Sequence, residues 1–283
     1  LWQVRWRQSQ SRKRDDMNIR LKEFEEVLLD EERSSNTIDA YTRSVRIFFG
    51  RYEKISKQNM LAFKKWQLER WKPKTANNRI AAMNKYCEFI GKPEYKVKGV
   101  KIHQNSIVEN VISIEEHNKL LKGLREDGDE KGYWMIQYLA KTGARVSEFI
   151  NLTKDALDKG YCEMWTKGKI RRIYIPEELI NESRDFFDNS DSKLLFVNKN
   201  GKKYTTRGIA SNIKRWAKKY GIRDEVAHPH AFRHLYAIEF LKRNSNIALL
   251  ADLMGHSSVQ TTSIYLRLSQ QEQQKQLNEA MRW

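Results

Sequence analysis

One stretch of the chain, YCEMWTKGKIRRIYIP over residues 161–176, breaks with the pattern around it. Tyr161–Thr166 and Arg172–Pro176 alternate β-branched and aromatic residues with polar ones about the turn Lys167-Gly168-Lys169, which predicts a hairpin. Most other segments repeat their apolar residues at three and four, the period of a helix. The fold expected is therefore mainly α with a small β-sheet.

The helical segments fall into two groups. Leu21, Phe24, Val27 and Leu28 form a first stripe, and Ser34-Ser35-Asn36 offers capping oxygens to a second helix carrying Ile38, Tyr41, Val45, Phe48 and Phe49. Ile55–Trp71 and Thr75–Ile90 read as two more, the last stopped by Gly91 and Pro93. Residues 19–92 are expected to form an all-α domain. From 93 to 112 no period is sustained, and Lys96, Lys98 and Lys101 mark an extended basic linker. Ser113 and Glu116 then make a capping-box pattern that opens a second, mixed α+β domain over 113–283. Helices are expected near 114–125, 130–142 and 146–151 before the hairpin, and near 177–188, 206–220, 230–243, 246–254 and 258–268 after it. A Gln-rich tail helix over 270–283 completes the reading. Residues 1–18, with Arg5, Arg7, Arg12, Lys13 and Arg14, read as a basic arm.

Charge narrows the function. The 53 Lys and Arg against 36 Asp and Glu leave a formal net charge of +17, a field that favours a polyanion, with nucleic acid foremost. No apolar run approaches the length of a membrane span, so a cytoplasmic protein with no membrane partner is expected. Cys87 and Cys162 lack metal-ligand spacing and read as reduced core thiols. No carboxylate cluster and no Gly-x-x-x-x-Gly-Lys-Ser/Thr loop occurs, so neither a metal nor a nucleotide cofactor is expected.

Several residues could carry chemistry, and each also has an ordinary structural use. His230 and Arg233, three apart on a helix, share a face and could grip one small anion, and Pro229 suits the start of that helix. His256 follows Gly255, a helix-stopping glycine, and could equally serve as a C-terminal cap. Arg145, set against Val146 and Phe149, needs an anion, either Glu148 or a ligand phosphate. Lys167 at the hairpin tip could be a solvated turn lysine, and Tyr265 a core aromatic.

Taken together, these stretches resemble the tyrosine recombinase, or phage integrase, family. "TGARVSEF" is similar to its first arginine motif, "TKGK" to its hairpin lysine, "HPHAFRH" to its His-x-x-Arg, "LMGHSS" to its second histidine and "TTSIYLRL" to its nucleophile segment. The resemblance covers 113–270 and extends more loosely to "SSNTIDAYTRSVRIFF" and "KTANNRIAAMNKYCEFIG", which look like the family's SAM-like core-binding domain. "NIALLADLMGH" looks most like integrases of conjugative transposons and mobile elements in low-GC Gram-positive bacteria. Thr166 stands where many members have glycine.

The resemblance implies a two-domain, C-shaped clamp on double-stranded DNA core sites. It implies Arg145, Lys167, His230, Arg233 and His256 as catalytic residues, Tyr265 as nucleophile forming a 3′-phosphotyrosyl link, and Glu148 as their orienting partner. Asn77, Asn78, Arg79, Lys96, Lys98, Lys101, Lys202, Lys203, Thr205, Thr206 and Arg207 are expected to contact DNA. A homotetramer assembled through the C-terminal helix, and an accessory protein that bends DNA, are further partners it implies. Integration and excision of a mobile element is the expected role. The alternatives are an Xer-like recombinase resolving chromosome dimers, a type IB topoisomerase-like relaxing enzyme and a non-catalytic DNA-binding regulator.

Overall fold

The computed structural model describes residues 19–102, 111–166, 169–256, 259–266 and 278–282. The chain divides between residues 104 and 105 into two compact units.

The first unit is helical throughout its elements: α1 (19–30), α2 (Ser35–Phe49), α3 (Lys57–Arg70) and α4 (Pro73–Phe89). Ser34 and Ser56 cap α2 and α3 by accepting from Thr37 N and Asn59 N, while Pro73 starts α4 where its missing N–H costs nothing. The apolar faces meet in one core of Phe24, Phe48, Phe63, Tyr86 and Cys87, with Phe48 and Phe63 packed edge to face at 5.2 Å.

The stretch after Pro93 corrects the expected linker. A 3₁₀ turn at Pro93–Tyr95 leads into Val97, which is buried in the first unit's core. Asn84 accepts from Val97 N at 3.0 Å and donates to Val97 O at 2.9 Å, while Asn77 does the same for Val100 at 2.9 Å in both directions. Lys57 and Lys64 donate to the carbonyls of Lys96 and Lys98. Residues 96–100 are thus a strap on the helices, because two asparagine amides satisfy backbone groups that no strand pairs.

The second unit is built around α6 (Glu130–Thr142), whose Trp134, Met135, Ile136, Tyr138 and Leu139 are all buried. Around it lie α5 (Ile114–Glu126), α9 (Glu177–Asp188), α10 (Thr206–Tyr220) and α11 (Pro229–Arg243). The capping box forms as expected, with Ser113 N donating to Glu116 at 3.0 Å and Glu116 N to Ser113 Oγ at 3.1 Å. Short helices α7 (Val146–Phe149) and α8 (Asp155–Lys159) precede the antiparallel pair β1 (Tyr161–Thr166) and β2 (Lys169–Tyr174), which is in register from Tyr161↔Tyr174 to Thr166↔Lys169. Cys162, Met164, Arg171 and Ile173 face inward, whereas Trp165 is 77% exposed on the other face. The chain continues through α12 (Ile247–Met254), α13 (Val259–Thr262) and a 3₁₀ turn at Ser263–Leu266. A single helix had been expected over 258–268; the shift to 3₁₀ winding at Ser263 sets Tyr265 into a small cluster with Ala237, Leu250 and Met254. The hairpin tip at Lys167 and most of the expected tail helix lie outside the described residues.

Candidate active site

Two helix ends assemble the site. Helix α6 stops at Gly143 (φ +61°) and α12 at Gly255 (φ +60°), both in the left-handed conformation that exposes the last carbonyls of a helix. Those carbonyls are the negative ends of the helix dipoles and attract cations. Arg233, on α11 and only 1% exposed, donates to Gly143 O at 2.5 Å and to Met254 O at 2.6 Å. Arg145 donates to Gly255 O at 2.8 Å, and Arg171 to Leu253 O at 2.7 Å. Three consecutive carbonyls, 253 to 255, therefore hold three guanidinium groups.

One carboxylate balances them. Glu148, 5% exposed, accepts from Arg145 Nη1 at 2.9 Å, from Arg145 N at 2.7 Å, and from Arg171 Nη1. Burial pushes the Glu148 carboxyl up, but the bonds from Arg171 and Arg145 outweigh it and hold the pKa below the ordinary value. The Arg233 guanidinium is pushed down to about 10 by burial, then by the charges of Arg145 and Arg171, and remains cationic near neutral pH.

The histidines occupy two settings. His256 Nε2 lies 3.0 Å from Arg233 Nη2, and since a guanidinium only donates, this nitrogen accepts. Its Nδ1, 2.7 Å from Thr262 Oγ1, therefore carries the proton of the neutral ring. Burial, with Arg233, Arg145 and Arg171 nearby, pushes His256 down to about 4. His234, by contrast, faces Tyr265, with Nδ1 2.8 Å from the phenol oxygen. Its ring packs edge to face on His230, centroids 4.5 Å apart, and His230 itself is exposed in the first turn of α11. Tyr265 is 8% exposed, and burial raises its pKa while Arg233 lowers it in part.

Arg145, His230, Arg233, His256, Tyr265 and Glu148 thus come together from four separate segments, whereas Lys167 lies outside the described residues. Sequence reasoning passed over Arg171 and His234. Arg171 alternates with Ile173 along β2, so period two alone places it inward; His234 is four residues beyond His230 and shares its helix face. Among the described residues no group of three or more His, Cys, Asp or Glu is placed to hold a metal ion.

The residues expected to contact DNA are scattered. Asn77 is half-buried, and both polar atoms of its amide bond to Val100 of the strap. Arg79 donates to Gln67 at 2.7 Å and lies 4.6 Å over the Trp71 ring, and Asn78 is exposed beside it. Lys96 is half-buried and paired with Glu88, while Lys98 and Lys101 are exposed. Lys202, Lys203, Thr205, Thr206 and Arg207 are all exposed at the start of α10, where Thr205 Oγ1 caps the helix by accepting from Gly208 N at 3.0 Å and Lys203 donates to Asn151.

Comparison with known proteins follows the same division. Residues 110–272 match the profile of the Phage integrase family, and residues 21–92 that of the Phage integrase, N-terminal SAM-like domain. Tyrosine recombinase XerA of Pyrococcus furiosus is 29% identical over 261 residues, covering 88% of this chain and 89% of its own. Tyrosine recombinase XerC of Leptospira interrogans is 25% identical over 290 residues, covering 91% of each. Among solved structures, the Tn1549 transposon integrase in complex with transposon right-end DNA has the same fold, with a TM-score of 0.70 at 19% identity, covering 92% of this chain and 98% of that one.

Proposed function

Because the chain belongs to the phage integrase family of tyrosine recombinases, we propose that it cuts and rejoins double-stranded DNA at specific sites through a 3′-phosphotyrosyl link. In this reading Tyr265 attacks a backbone phosphorus. Arg145 and Arg233 donate to the two non-bridging oxygens as charge builds on them, the step where fixed donors contribute most. His230 supplies a further donor, His256 steadies the Arg233 guanidinium by accepting from it, and Lys167 protonates the leaving 5′-oxygen. Glu148 orients Arg145. The tyrosyl link retains the phosphodiester energy, so resealing needs no external source.

The observation that carries the reading is the charge imbalance at the site. Three guanidiniums, Arg145, Arg171 and Arg233, lie against consecutive carbonyls with one carboxylate, Glu148, which bonds only to Arg145 and Arg171, and the Tyr265 phenol sits beside Arg233's neighbour His234. Burial first, and repulsion from Arg145 and Arg171 next, lower the Arg233 pKa, and a phosphate would relieve that repulsion. Backbone contacts from Arg79, Asn78, Lys96, Lys98, Lys101, Lys202, Lys203, Thr206 and Arg207 would add sequence-independent affinity.

The narrower role proposed is integration and excision of a mobile element by a homotetramer, supported by the fold shared with the Tn1549 transposon integrase. A second reading, Xer-like resolution of chromosome dimers, is favoured by the names of the curated relatives. The decisive experiment incubates the protein with nicked suicide duplexes carrying either the junctions of the DNA around its own gene or a chromosomal dimer-resolution site. A protein–DNA adduct resistant to SDS, absent for Tyr265→Phe, is expected, and the duplex that yields it separates the two roles. Adduct formation by Tyr265→Phe would sink the nucleophile assignment.

A further inference from the structure

We propose that His234 is the acceptor of the Tyr265 proton when the tyrosine attacks and its donor when the strand is resealed. This rests on Tyr265 being the nucleophile. The geometry points to His234 rather than to the two histidines the sequence motifs emphasise. His256 has both ring nitrogens engaged, one by Arg233 and one by Thr262, and its accepting nitrogen is turned to the guanidinium. His230 stands one ring further out, in contact with His234, and is exposed. His234 Nδ1 lies within a hydrogen bond of the phenol oxygen, at 2.8 Å, with the two rings 5.4 Å apart.

The surroundings fit an acceptor. Facing His234 are His228, His230 and Arg233 from its own helix, His256 from the loop after α12, and Tyr265 from the 3₁₀ turn. Burial first, and the electrostatic influence of His230, His228, Arg233 and His256 next, push His234 down to about 4, so the ring is neutral near pH 7 and able to take a proton. The phenol beside it is raised by burial and stays protonated until attack. A phosphate seated on Arg145 and Arg233 adds negative charge next to His234 and raises its basicity at the step that needs it.

In the forward step the phenolic O–H bond breaks and its proton passes to His234 Nδ1. The tyrosine oxygen bonds to phosphorus, the bond from phosphorus to the 5′-oxygen breaks, and that oxygen takes its proton from Lys167. The edge-to-face contact with exposed His230 offers the imidazolium a contact toward solvent. Resealing runs the same transfers backward.

The test has two arms. In the free protein, ¹⁵N NMR of the histidine rings should show His234 neutral with its proton on Nε2; a proton on Nδ1 would make His234 a donor to the phenol and overturn the proposal. In the second arm, single-turnover cleavage is followed on a nicked duplex selected from random-sequence DNA for covalent capture by the unsubstituted protein. His234→Asn keeps an acceptor near the Nδ1 position but cannot hold a proton, and His234→Ala removes both. Both variants should bind the duplex normally yet cleave about 10²-fold more slowly or worse, the usual range for a lost general base. The acid limb of the unsubstituted rate profile should vanish in His234→Asn. Replacing the 5′-bridging oxygen with sulfur, a leaving group that needs no proton, should leave the deficit in place. Near-normal cleavage by His234→Asn, or rescue by sulfur, would place the lost proton elsewhere. Adduct formation by Tyr265→Phe would instead show that the nucleophile assignment beneath the proposal is wrong.

Discussion

Glu148 is the residue on which the candidate site turns. It is buried, it is the carboxylate shared by Arg145 and Arg171, and it accepts from the Arg145 backbone as well. Removing one partner of a buried ionic cluster leaves the others uncompensated, a cost of about 3–5 kcal/mol. Glu148→Ala should therefore lower the free energy of unfolding by about that amount, measured by urea denaturation; a loss near zero would mean the two arginines find other anions. The histidines give a second test at this scale. His234 and His256 each titrate at about 4 in the folded chain, below the ordinary 6.5, so the unfolded state takes up protons first as pH falls. Their contribution is intact above pH 6.5 and drains away as the pH drops towards 4. Thermal melts should thus shift to lower temperature across that window, and His234→Asn should shift less than the unsubstituted chain.

At the scale of elements, the helix ends matter more than the helices. Gly255 combines a left-handed backbone with a close neighbour, since an added Cβ would lie 2.4 Å from the Arg171 side chain. Gly255→Ala should cost about 1–2 kcal/mol from the backbone alone, and more from displacing Arg171. Its signature would be loss of DNA cleavage exceeding the loss of stability, because the carbonyls at 253–255 would no longer present three arginines together. Equal losses would assign Gly255 a purely structural role. The strap at residues 96–100 teaches a different lesson: its sequence shows no period because its backbone is held by Asn77 and Asn84 from α4, not by its own neighbours. A lysine-rich, aperiodic stretch reads as linker when the groups that bind it lie 13 to 23 residues away.

The whole molecule is two units with separate cores, one packed on Phe24, Phe48, Phe63 and Tyr86, the other on α6. Residues 19–102 expressed alone should therefore melt cooperatively by circular dichroism, and Phe63→Ala should destabilise that fragment by about 3–5 kcal/mol; a fragment with no transition would show that the first core depends on the second unit. The mainly helical architecture with one hairpin was legible because period, caps and stop glycines are local signals, written within three or four residues of each other. Thus α6 and α10 begin and end where their periodicity and capping residues put them, and α9 where its periodicity does. The order of Arg145, His230, Arg233, His256 and Tyr265 along the chain was legible too, as motifs. Their arrangement was not. That Arg145 would meet a carbonyl 110 residues away, that a strand arginine would share its carboxylate, and that the unremarked His234 would hold the tyrosine all depend on long-range packing. Sequence spacing carries which faces are apolar and where helices stop. Only the tertiary structure decides which polar groups, brought inside by that packing, must find each other because no water is left to satisfy them.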